Sequence, residues 1–384
     1  MLNLYLKLRI YVYNITHIYI WRLNKFMINQ DRLIQTFCDL VQIDSPSGQE
    51  EEISKDLTNR LTKLGFQVSL DSYGNLIASE GGDNPFMLSA HMDTVEPGTG
   101  IIPKIESDKI ISTSKTILGG DCKAGISAIL EALESLKEDS ADRIPIEVVF
   151  TREEELGLQG AANLDFSKIH SKEAIVFDGE GAPNEIITIS PTYFSFDITI
   201  EGRAAHAGVD PENGISSIHI AAELISKLPQ GRLDHETTFN IGTIQGGNVR
   251  NSVPKDTIIN GEFRSPNIET LDGLKMQVTD AVNQVKTKYK EANVDNEIYT
   301  NFHAYKIEND NPLAIRIASA IKSLGLKPKT KYSGGGSDAN IFREKGINSV
   351  VVGMADHNMH TLSEYVTISE LISAAKLCEI LIKK

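Results

Sequence analysis

Residues 86–95 read FMLSAHMDTV, an apolar run that ends directly in His91-Met92-Asp93. A short apolar segment bounded by polar residues reads as a buried strand. The same pattern recurs along the chain. Ile146–Thr151 runs into Arg152-Glu153-Glu154-Glu155, Ala174–Phe177 into Asp178, and Ser349–Val352 leads within eight residues to His360. Further strands are expected at Gln67–Leu70 and Leu76–Ala78. Between them lie helical patterns. Leu33, Ile34, Phe37, Leu40 and Val41 recur at helical spacing over 31–42; residues 50–64 repeat it before Gly65; Ile126, Ile129, Leu130, Leu133 and Leu136 draw one face of a third helix. Strands alternating with helices predict an α/β domain with a mostly parallel sheet. Ligands of open α/β sheets bind beyond the carboxyl ends of the strands, where these histidines and carboxylates fall.

From about 191 to 302 the rhythm changes. Strands at Phe194–Ile200, Thr238–Ile244, Thr257–Phe263 and 294–300 are interleaved with helices over Ser216–Leu228 and 269–289. That order, β-α-β-β-α-β, is ferredoxin-like. The α/β pattern resumes at Pro312 and needs Ser349–Val352 to complete its sheet, so 191–302 is expected to be inserted into a domain made of 27–190 and 303–384. No repeats or low-complexity tracts interrupt this plan.

Composition narrows the function classes. The 384 residues carry 38 basic and 52 acidic side chains, a net charge of −14, against nucleic acid or an anionic membrane surface as partner. Cys38, Cys122 and Cys378 are too few and scattered for a disulfide framework or a CxxC zinc site, which points to a reducing, cytoplasmic setting. Residues 1–26 hold four basic residues and no acid. Their apolar stretch, Ile10 to Trp21, is too short for a bilayer and is broken by Asn14, Thr16 and His17. They read as an extension upstream of a start at Met27, outside the fold.

Singly, the polar groups have plain readings. Glu153–Glu155 suits a solvated helix start, Asp121 an N-cap, Asp178 a turn and His360 a surface position. Together with His91-Met92-Asp93, which singly reads as a loop, these make five such groups at five element ends, and that is not explained as caps. Ser333–Asp338 (SGGGSD) lacks the Lys-Ser/Thr ending of a phosphate loop and reads as a flexible pocket wall.

The motifs His91-Met92-Asp93-Thr94-Val95, Gly120-Asp121-Cys122-Lys123-Ala124-Gly125, Thr151-Arg152-Glu153-Glu154-Glu155-Leu156-Gly157, Asp178-Gly179 and His360-Thr361 followed by Glu364-Tyr365 resemble, in order, those of the dinuclear zinc exopeptidases. That family includes peptidase T, aminoacylase and glutamate carboxypeptidase, and the peptidase T-like branch looks nearest. The resemblance implies a metallopeptidase with an inserted lid and dimerisation domain. It implies one metal on His91 and Asp178, a second on Glu155 and His360, and Asp121 bridging both. The ions would be zinc, with cobalt or manganese as alternatives. Asp93 would orient His91, and Glu154 would be the general base acting on a metal-activated water. Among the three glutamates only the family register selects Glu154 as base and Glu155 as ligand. Aspartate at 178 leans the chain toward an aminopeptidase or tripeptidase acting on short peptides. Cys122 stands where relatives usually carry a second acid; we expect a neutral substitution. His206, in Gly202-Arg203-Ala204-Ala205-His206-Ala207-Gly208, resembles the lid histidine that stabilises the oxyanion, and Asn251 and Arg264 resemble substrate-contacting positions. The inserted domain would also allow a homodimer. Two other readings stand beside this one: an N-acyl amino acid amidohydrolase, and a non-catalytic metal- or peptide-binding protein.

Overall fold

The computed structural model describes residues 28–384, so the extension over 1–26 and the start at Met27 lie outside the described residues. The larger sheet has nine strands. Its order is Gln67–Leu70, Leu76–Ser79, Ile146–Thr151, Phe86–His91, Glu173–Gly179, Asn348–Gly353, Glu185–Ser190 and Tyr305–Lys306, with Lys329–Tyr332 also paired to Glu185–Ser190. The four central strands, from Ile146–Thr151 to Asn348–Gly353, are parallel, and these four precede the polar motifs. Burial on both faces explains why they read as continuous apolar runs: all six residues of Phe86–His91 and of Ile146–Thr151 are buried. Antiparallel strands flank this centre on both sides.

Helices cover the sheet. Gln30–Val41 starts at Asn29, whose side chain accepts from the Arg32 amide, and buries Leu33, Phe37, Leu40 and Val41. Arg32 in turn pairs at 2.7 Å with Glu131 of the Gly120–Glu138 helix, which tethers the first helix to the most buried one. The 50–64 pattern is seen as Glu51–Leu64, ended by Gly65 at φ 103°.

The segment expected as ferredoxin-like forms a five-stranded antiparallel sheet, ordered Gly231–Arg232, Thr238–Gly246, Asp256–Ser265, Thr192–Glu201 and Asn293–Phe302. Helices Ser217–Ile225 and Ile268–Lys288 pack on it. Its apolar cluster is distinct from that of the large sheet and is built on Phe194, Phe196, Phe239 and Phe263. The first of these helices stops at Ile225 rather than Leu228, because Pro229 disfavours helical backbone at the residue before it.

A third, four-stranded sheet was not anticipated. It joins Pro103–Glu106 and Lys109–Ser112 to Asp356–His357 and Tyr365–Thr367. The last two strands form a hairpin, and His360 lies in its loop at φ 62°. Among the described residues, no helix is long and apolar enough to cross a membrane.

Candidate active site and metal centre

The parallel strands deliver their terminal residues to one edge. His91 ends its strand, 1% exposed. Asp178 arrives by a bulge: Phe177 pairs with Val352 and Gly179 with Gly353, which leaves Asp178 as the extra, unpaired residue. Such bulges re-aim side chains beside functional sites. Asp121 precedes the regular part of its helix, since Asp121 and Cys122 both have non-helical backbone. Its side chain does not act as a cap. Asp121 Oδ1 lies 2.9 Å from His91 Nε2, and Oδ2 lies 3.0 Å from His360 Nε2. One carboxylate thus faces two imidazoles, each through a separate oxygen.

The other two carboxylates complete the symmetry. Asp178 Oδ1 is 3.5 Å from His91 Nε2, and Glu155 Oε1 is 2.9 Å from His360 Nε2. Asp93 lies behind His91. The His91 Nδ1 proton goes to the Asp93 backbone carbonyl at 2.9 Å, with the Asp93 carboxylate farther off at 3.4 Å. That carboxylate instead accepts from Ser47 Oγ at 2.7 Å, the Glu154 amide at 3.0 Å and the Glu155 amide at 3.2 Å. Asp93 therefore positions the loop of Glu154 and Glu155 as much as the imidazole.

This donor set fits metal ions. With Nδ1 of His91 donating to a carbonyl, the neutral ring presents a lone pair at Nε2 to two carboxylates, acceptors facing acceptors. At the second position one His360 nitrogen faces two carboxylate oxygens, Asp121 Oδ2 and Glu155 Oε1, which a single proton cannot serve together. Either both rings are protonated or cations stand between these groups. Imidazole nitrogen and carboxylate oxygen are the ligands zinc takes. His91, Asp121 and Asp178 group together, with Cys122 beside them, and Asp121, Glu155 and His360 form a second group, so the arrangement accommodates two ions with Asp121 common to both.

Without cations the site is electrostatically costly. Burial works against charge on His91, yet the Asp121 and Asp178 carboxylates outweigh it and hold the ring's proton affinity well above the ordinary range. Hydrogen bonding to Asp121 and Glu155 lifts His360 to about 10. Burial pushes Asp178 up to about 7. Glu154, 8% exposed, is driven well above the usual carboxylate range by burial and then by Asp178.

The carboxylates open onto a cleft of about 770 Å³. Asp121, Glu154, Glu155, Asp178 and His360 line it, together with Arg264, Tyr193, Lys331 and the 333–337 glycine loop.

Comparison with known proteins places this geometry in context. Residues 191–290 match the family model described as Peptidase dimerisation domain, and residues 75–213 match Peptidase family M28. The chain is 36% identical to the crystal structure of aminopeptidase PepT from Bacillus cereus, covering 93% of this chain and 99% of that one with a TM-score of 0.80. A tripeptidase from Staphylococcus aureus matches at 32% identity and a TM-score of 0.85, over 93% and 98% of the two chains. The chain belongs to the peptidase T-like branch of the dinuclear zinc exopeptidases. Peptidase T from Exiguobacterium is 23% identical over 89% of this chain and 92% of its own.

This peptidase T-like chain does not gather every expected residue in the cleft. Arg264 lines it, stacked 4.3 Å above the Tyr193 ring and paired at 2.7 Å with Glu262. His206 and Asn251 lie elsewhere, exposed on the inserted segment beside one another: His206 bridges to Ser252, and the Asn251 carbonyl accepts from the Ala207 amide. Cys122 is fully buried, donates to the Phe177 carbonyl and lies 3.5 Å from Met354 Sδ; burial keeps its thiol protonated well above the usual range.

The exopeptidase also holds groups that the sequence reading passed over. Lys123 is completely buried, donates to the Ile43 carbonyl at 2.8 Å and is pushed down to about 7 by burial. Asp338, 1% exposed, accepts from Thr151 Oγ1 while its other oxygen has no partner. The Tyr305 hydroxyl lies in the cleft wall, buried and unpartnered. The only signals for these were a lysine inside a helix-start motif and an acid after a glycine run.

Proposed function

We propose that the chain is an aminopeptidase that releases the N-terminal residue of a tripeptide or similarly short peptide. Two divalent ions, zinc by preference with cobalt or manganese as alternatives, would be held by His91 and Asp178, by Glu155 and His360, and by Asp121 between them. When bound they supply the positive charge that polarises the scissile carbonyl and acidifies water. The placement of both Asp121 oxygens against two separate imidazoles is the observation that carries this reading.

The remaining steps belong to side chains. Glu154 takes a proton from the attacking water and passes it to the leaving amine. Asp93 fixes the Glu154 amide and the His91 ring. Arg264 offers a planar fork to the peptide carboxylate in the cleft. His206, on the inserted segment over 191–302, would steady the developing oxyanion once that segment closes on the site or meets a second subunit, with Asn251 contacting substrate. The body over 27–190 and 303–384 would hold the metals. Three free cysteines suit a reducing compartment, and we assign the protein to the cytoplasm.

The test is a comparison of substrates on metal-free protein reloaded with zinc, cobalt or manganese. Free-amine tripeptides are expected to be cleaved and acetyl-amino acids left intact. Turnover of acetyl-amino acids alone would favour a deacylase, and turnover of neither would favour a binding protein.

A further inference from the structure

Asp121 sits on a turn that has little to hold it by itself. Gly119 is in the left-handed region at φ 73°, and Asp121 and Cys122 depart from helical backbone. Four consecutive amides there, Leu118, Gly119, Gly120 and Asp121, point to one acceptor from the other end of the chain. Glu364 Oε2 accepts from Leu118 at 2.7 Å and Gly119 at 3.0 Å, and Oε1 accepts from Gly120 at 2.6 Å and Asp121 at 3.4 Å. Glu364 is 3% exposed. It lies four residues after His360, in the same hairpin loop.

We propose that Glu364 is a positioning residue that holds Asp121 between His91 and His360 by clamping the Asp121 turn to the His360 hairpin. A carboxylate is acceptor-only and spans several amides at once, so it can hold a turn that has no side-chain cap. The clamp acts on the shared ligand: if the turn drifts, Asp121 Oδ1 and Oδ2 no longer meet His91 and His360 together. Gly120 allows the approach, since a Cβ there would fall 2.4 Å from Asp356 Oδ1 and 2.7 Å from Val366 Cγ2 of the same hairpin. The proposal rests on the reading of His91, Asp121 and His360 as metal ligands.

The test measures zinc uptake by metal-free protein calorimetrically, beside the melting curve of the same metal-free sample. Glu364→Gln keeps the size and one carbonyl oxygen but turns an NH2 toward the amides. It is expected to weaken zinc binding by on the order of 10- to 100-fold. Glu364→Asp keeps the charge one methylene short, and it is expected to weaken uptake in the same direction by a smaller factor, so reach is tested if the first variant folds poorly. The control is Glu147→Gln. Glu147 is equally buried and also gathers amides, those of His170 and Ser171, but from the opposite end of its strand. It is expected to lower the melting temperature while leaving zinc affinity unchanged. Wild-type zinc affinity in both Glu364 variants would overturn the proposal, and so would equal loss in Glu147→Gln. Wild-type protein that takes up fewer than two zinc ions would overturn the metal reading itself and the proposal with it.

Discussion

At Asp121 a single carboxylate is committed to two imidazoles, and the residues around it show what that arrangement costs in the absence of cations. Asp338 is the clearest case, because it carries a buried carboxylate that is not itself among the candidate ligands. Burial raises it to about 6, against 3.8 for the free side chain. An acid with a raised folded-state pKa destabilises the fold once it ionises: the penalty is absent below about pH 4, grows between 4 and 6, and is complete above 6. Asp338→Asn removes the charge. Metal-free Asp338→Asn is therefore expected to be more stable than metal-free wild type at pH 8, by on the order of 2 kcal/mol, and the gap should close as the pH falls to 4. Melting curves across that range check the sign. A gap that stayed constant with pH would show that the Asp338 charge is compensated.

Elements explain why part of the site was legible in sequence and part was not. His91, Asp178 and the Glu153–Glu155 run could be read because central parallel strands are buried on both faces, so each polar group after an apolar run marks a strand end. The bulge that turns Asp178 inward could not be read, because it is a register event between two strands 174 residues apart in the chain (Asp178 to Val352). The small sheet carrying His360 was equally hidden. Its strands have two to four residues with mixed exposure, too short for a period to appear. Glu364 stands in one of the family motifs, but its acceptor role could not be read there, since it depends on amides more than 240 residues away. The approach of hairpin and turn makes a prediction at this scale. Gly120→Ala forces a methyl against Asp356 and Val366, which is expected to cost about 1–3 kcal/mol and to weaken zinc uptake. Melting and zinc titration of one preparation check both effects. Wild-type values for both would mean that the hairpin yields freely.

For the whole molecule, the net charge of −14 has a local meaning. Part of the −14 is concentrated where Asp121, Glu154, Glu155 and Asp178 line the cleft. Cations that bind there only in the folded state stabilise it by mass action, about 4 kcal/mol when free metal exceeds its dissociation constant a thousandfold. Chelation followed by calorimetry is expected to lower the melting temperature, and zinc is expected to restore it; an unchanged melting temperature would argue against folded-state metal binding. The inserted segment has its own apolar cluster, which accounts for why its β-α-β-β-α-β order was readable independently of the larger sheet. The placement of His206 and Asn251 away from the cleft was not readable, because it depends on how the segment is presented to the site rather than on any local pattern.

We expect this carboxylate-rich cleft to perform peptide hydrolysis with Glu154 moving the proton. Glu154→Gln tests it, with metal content and tripeptide turnover measured on the same sample. Glu154→Gln is expected to hold two divalent ions per chain, as in wild type, with turnover reduced by about 10²- to 10⁴-fold. Wild-type turnover with both ions bound would contradict it.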